Sequence, residues 1–180
     1  MLTITVPGVE SFDEEKQEFV TTEATVLVLE HSLVSLSKWE SIFEKPFLGP
    51  DKKTTEETYA YIQAMCVEGE LTDEVMQRMT EENVTTINSY IESKMTATWF
   101  KELPNRPGSR EIITAEIIRY WMIALNIPLE YETRHLNQLF TLIKVINEKN
   151  KPAKKMSRSE MLSQRASLNA QRRQRMGTSG

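Results

Sequence analysis

The chain has 180 residues, 39% hydrophobic and 27% charged, which suits one ordinary core with a tail left over and is too polar for an integral membrane protein. No apolar run approaches the roughly 20 residues that a spanning helix needs, and the opening MLTITVPGVESFDEE lacks the basic stretch of a signal peptide. The single cysteine, Cys66, excludes an internal disulfide and fits a reducing cytoplasm.

The net charge of −4 divides unevenly. From Lys151 onward eight lysines and arginines face one acid, Glu160, so that segment is +7 and the first 150 residues carry −11. The charge pattern is that of an acidic body with a basic tail.

In chain order, Leu2, Ile4 and Val6 alternate in the manner of a strand before Pro7-Gly8, and FVTTEATVLVLEH is rich in valine and threonine. Residues 1–30 therefore read as a small β-hairpin or three-stranded meander, which must pack on a helical body to be stable. A helix from about Ser32 to Glu44 carries Leu33, Leu36, Trp39 or Glu40, and Phe43 at steps of three and four, with Pro46 ending it. Thr54-x-x-Glu57 is a capping box ahead of Tyr59, Ile62, Met65 and Cys66. Thr72 caps a short turn, and Thr80 precedes a helix through Val84, Ile87 and Ile91.

KELPNRPGS, with two prolines and a glycine, is the clearest interior break. Ser109 is the expected cap of a long helix, REIITAEIIRYWMIALN, whose wide apolar face suits the centre of a core. Pro128 fits the first turn of a further helix running to about Asn147. Ser157-x-x-Glu160 is another capping box and opens a basic stretch with few large apolar residues. The expected fold is mainly α: a helical core domain over residues 31–150, with a small N-terminal β-hairpin or meander and a basic C-terminal helix or tail over residues 151–180.

Glu132-x-x-His135 resembles half of a di-iron site, but the only other histidine, His31, has Val28 three positions before it, so the second half cannot be built. A surface Glu/His pair on a helix is the simpler reading. Cys66 lacks spaced partners for zinc and reads as a small buried apolar residue. There is no glycine-rich phosphate loop, G-x-S-x-G or H-E-x-x-H, so neither an enzyme nor a cofactor is expected.

The basic tail, with Lys154, Lys155, Arg158, Arg165, Arg172, Arg173 and Arg175, could hold nucleic-acid phosphates through counterion release. It has no aromatic residue to stack on a base, and contact with an acidic protein surface, or plain solvation, is preferred. Trp39, Phe43 and Phe47, with Trp99 and Phe100 as a second aromatic group, are the candidate partner-binding residues, since aromatic anchors dominate interfaces. They also dominate cores.

The phrases LEHSLVSLSKWESIFEKPFL, MTATWF, SREIITAEIIRYWMIALNIP, RHLNQLFTLIKVIN and KKMSRSEMLSQRASLNAQRRQR together resemble the tail assembly chaperones of long-tailed, non-contractile bacteriophages. The resemblance runs from about Leu29 to Arg175 and carries no catalytic residues. It implies a non-enzymatic protein of the bacterial host cytoplasm that binds the long helical tape measure protein, keeps its apolar faces from aggregating and helps tail tube subunits assemble. Other tail proteins or a second copy of the chain are further partners it allows. The alternative is a phage virion structural or nucleic-acid-associated protein acting through the basic tail.

Overall fold

The computed structural model describes residues 1–13, 17–100, 112–151 and 157–177. The chain divides into two units, Met1–Ile146 and Asn147–Gly180, and the described residues are mainly helical with a small antiparallel sheet.

Of the two arrangements expected for residues 1–30, the strands form antiparallel hairpin pairs and not a three-stranded meander. β1 (Leu2–Val6) pairs with β4 (Thr25–Leu29), Leu2 opposite Leu29 and Val6 opposite Thr25, while β2 (Glu10–Asp13) and β3 (Glu18–Thr21) form a separate hairpin between them. The side-chain period of two explains the choice. This register sets Ile4, Val6, Leu27 and Leu29, all buried, on one face of the sheet. β5 (Cys66–Glu68), read from sequence as the end of a helix, adds to the other edge of β4. The chain leaves β5 through Gly69 at φ +91°, where a Cβ would lie 2.7 Å from the Val26 carbonyl, so only glycine fits.

Helix α1 (Leu33–Phe43) begins where expected. The Ser32 hydroxyl accepts the Ser35 N–H, and Glu44 in the left-handed region ends the helix two residues before Pro46. α2 (Thr55–Met65) and α4 (Glu81–Glu92) start on capping boxes at Thr54 and Thr80, and Thr72 caps the short α3 (Asp73–Gln77). α5 spans Ala115–Ala124. The expectation of a helix from Arg110 is corrected here, because Ile112 to Thr114 are not helical; the proposed cap Ser109 lies outside the described residues.

A second correction concerns the helix expected from Pro128. Leu129–Thr133 is a 3-10 turn and α6 runs Leu136–Asn150. Between them Arg134 is extended, His135 bridges Ser32 in β fashion, and the Leu136 N–H donates to the His31 carbonyl at 2.7 Å. A contact a hundred residues away in sequence thus interrupts a stretch with helical periodicity. α7 (Arg158–Met176) opens on the Ser157/Glu160 capping box, and all of its residues are exposed.

Within the first unit, α1 serves two hydrophobic clusters. Trp39 lies with Ile4, Val6, Leu27, Leu29, Tyr61, Met65 and Ile87. Leu33 and Leu36 lie with Ala115, Ile118, Met122, Leu136, Leu139 and Ile143. On the same helix the buried Glu40 carboxylate spans the joint. One oxygen accepts the Phe47 N–H and the other the Ala115 N–H, each at 2.8 Å. Thr114 makes no side-chain cap, so Glu40 supplies one of the acceptors that the first turn of α5 lacks locally. Glu40→Gln presents an amide N–H to one of these two donors. It should destabilise the fold by about 1–3 kcal/mol, read as a lower urea midpoint with an unchanged slope.

Candidate functional site

The described surface and interior hold three groups of functional interest: a buried histidine–tyrosine cluster, an aromatic groove beside it, and the exposed face of α7. The cluster forms where β4 runs into α1. His31 Nδ1 lies 2.6 Å from the Tyr61 hydroxyl, and the His31 and His135 rings meet edge to face with centroids 5.1 Å apart. The Tyr90 hydroxyl donates to Glu30 at 2.8 Å, and the Met1 amine pairs with the other oxygen of the same carboxylate at 2.8 Å.

His135 is 2% exposed, so the expectation of a surface Glu/His pair is corrected. Glu132 faces elsewhere and pairs with Arg119, because the 3-10 turn and the bridge at His135 separate the two residues. Among the described residues no group of three or more histidine, cysteine, aspartate or glutamate side chains is arranged to hold a metal ion. The Cys66 thiol lies near the carbonyls of Glu68 and Gly69, and partial burial pushes its pKa up.

Burial sets the protonation of the cluster. It lowers His31 to about 4, helped by the neighbouring His135, and lowers His135 as well. Burial raises both Tyr61 and Tyr90, which keeps the phenols protonated. His135 sits with Nε2 3.1 Å from the Tyr90 carbonyl and Nδ1 accepting the Asn137 N–H at 3.2 Å. That arrangement needs a neutral ring with its proton on Nε2.

These contacts position the groove. α4 ends with carbonyls that have no partner inside the helix, and the start of α6 takes them up. His135 meets Tyr90 O, while the Asn137 amide donates to Ile91 O at 3.3 Å and Ser93 O at 2.8 Å. Gln138 donates to Met95 O at 2.9 Å. The non-helical segment after α4 is thereby held along α6, with Met95 itself at φ 48°.

The result is an open groove of about 510 Å³ lined by Leu48, Trp99, Phe100, Ile113 and Phe140, with Lys94, Lys144, Asn137 and three threonines at its edges. Trp99 is 72% exposed, and the Lys94 ammonium stands 4.2 Å over its ring. The lining contains two lysines and no acid, although the first 150 residues carry −11. A second cleft, of about 610 Å³, lies over the cluster and includes Glu30, Tyr90, Glu130, Arg134 and His135.

The five aromatic residues singled out in the sequence therefore separate. Trp39 is 2% exposed and its indole N–H donates to the Glu57 carbonyl at 2.7 Å. Phe43 and Phe47 pack on it with ring centroids at 4.8 and 5.1 Å, and Phe47 stacks on Tyr61 at 4.0 Å. Trp39 is thus spent inside the fold, with the half-buried Phe43 and Phe47 packed against it. Trp99 and Phe100 lie together at the groove. Lys94, Phe140 and Lys144 carry no sequence signal for this role, since only the α4–α6 contacts bring them together. Of the tail residues, Arg158, Arg165, Arg172, Arg173 and Arg175 lie on α7 and are exposed; Lys154 and Lys155 lie outside the described residues.

Comparison with protein-family models, with curated proteins and with solved structures finds no match. No helix among the described residues is long and apolar enough to cross a membrane.

The histidine pair makes stability depend on pH. Between pH 6.5 and about 4 the unfolded chain protonates His31 while the folded chain resists, so the unfolded state binds more protons and stability falls as pH falls. The expected loss from this residue is up to about 3 kcal/mol, measured as the shift of the urea midpoint. His31→Leu, which has no proton to gain, should flatten the slope in that window even if it lowers stability overall.

Proposed function

We propose that this chain is a phage tail assembly chaperone: a non-enzymatic protein that binds the tape measure protein and assists tail tube assembly in the host cytoplasm. The observation that carries the reading is the aromatic groove. A Trp99 side chain left 72% exposed beside Phe100, over a floor of Ile113 and Phe140, is costly in water and has the composition of a protein-docking site, with aromatic anchors and a polar, positively charged rim. The resemblance of the phrases around these residues to the chaperone family names the partner. The second reading, a structural or nucleic-acid-associated virion protein, draws on the exposed arginines of α7.

Co-expression with the tape measure protein of the same phage tests the proposal. The wild-type chain should raise the soluble yield of that protein several-fold. Trp99→Ser/Phe100→Ser should lose most of this effect while its thermal midpoint stays within a few degrees, because both side chains are exposed. Retention of nucleic acid in a salt-dependent manner, with tape measure solubility unchanged, would overturn the chaperone reading in favour of the second.

A further inference from the structure

Helix α7 is one-sided in a manner that composition alone hides. At about 100° per residue, all five arginines (158, 165, 172, 173 and 175) and all four large apolar side chains (Met161, Leu162, Leu168 and Met176) fall within an arc of roughly 160°. The opposite face holds only serine, glutamine, alanine and the single acid, Glu160. The mixed face is also periodic. Arg158, Arg165 and Arg172 repeat every seven residues, and Met161, Leu168 and Arg175 repeat every seven residues beside them. Two adjacent rows at this period form the seam by which one helix packs along another. Both rows are exposed throughout.

We infer that α7 docks along an acidic helix of another protein, one carrying carboxylates at seven-residue spacing opposite the arginine row and apolar side chains opposite Met161 and Leu168. Charge complementarity selects this occupant. A second copy of α7 would bring five further arginines and a single acid to the same seam in either orientation, which repels. A nucleic acid needs the positive charge but has no use for a Met/Leu row in register with it, and the helix offers no aromatic side chain for base stacking. A bilayer surface would favour a broader apolar face than four side chains interleaved with five arginines. A helical partner uses both rows at once, because guanidinium groups pair with carboxylates in bidentate fashion while their stems cover apolar surface. No residue of the groove at Trp99 takes part, and this inference stands or falls without it.

The test uses the full chain and a synthetic 28-residue helical peptide (a length chosen as four repeats) with glutamate and leucine in the two rows, beside a single-stranded RNA of similar total charge. The peptide should bind. Met161→Ser/Leu168→Ser, which leaves the charge unchanged, should weaken peptide binding at least tenfold and leave RNA binding unaltered. Arg158→Gln/Arg165→Gln/Arg172→Gln should abolish peptide binding, whereas Arg173→Gln alone should cost little. Circular dichroism confirms that the variants keep the helix. Failure of the peptide to bind, or equal loss for any set of arginines regardless of row, would overturn the inference, the latter pointing to nucleic acid. Self-association of the chain that the Met161/Leu168 variant removes would overturn it in favour of a second copy.

Discussion

A carboxylate removed from water must have its oxygens filled by donors, and the arrangement around Glu40 follows from that requirement. Its two oxygens take the Phe47 and Ala115 N–H groups, which fixes the turn after α1 and the start of α5 against one helix. α1 can then face two ways, Trp39 into the cluster built on the sheet and Leu33 and Leu36 into the cluster built on α5 and α6. Apolar packing between the two clusters is strong but non-directional, and the Glu40 hydrogen bonds, together with those that His135 and Asn137 make to the end of α4, fix how they meet. The groove depends on Glu40 as well, since on its wall Leu48 follows Phe47 directly and Ile113 lies two residues before Ala115.

The second constraint is the exposed end of α4. Its carbonyls are taken up by His135, Asn137 and Gln138 from the start of α6. This draws the 93–100 segment along α6 and presents Trp99 and Phe100 outward. The neutral histidine pair is part of the same device, because a protonated His135 could not accept the Asn137 N–H. Fold stability and groove geometry are thus linked through one imidazole.

Much of the local structure was legible in the sequence. Ser32, Thr54, Thr72, Thr80 and Ser157 all cap the helices expected after them, because a capping hydroxyl acts within three residues. The apolar stripe of α1 was legible for the same reason. What could not be read was set by distant contacts. β1 pairs with β4 across a whole hairpin, β5 follows directly on a helix, and the 134–135 break exists because His31 and Ser32 recruit it. Glu40 reads as a polar interruption of a stripe until Ala115, 75 residues on, is seen to need it. The aromatic residues behaved similarly: spacing could not tell the buried Trp39 from the exposed Trp99, because that difference lies in the packing around them.

The first unit fills its own core, and the groove between residues 94–100 and α6 is the surface proposed for the partner. Backbone hydrogen exchange of the full chain, alone and with the tape measure protein, tests that assignment most directly. α1 should be strongly protected in both states, while residues 94–100 and the adjoining turns of α6 should gain protection only with the partner. New protection confined to α1 and the 44–48 turn, with the groove unchanged, would contradict it.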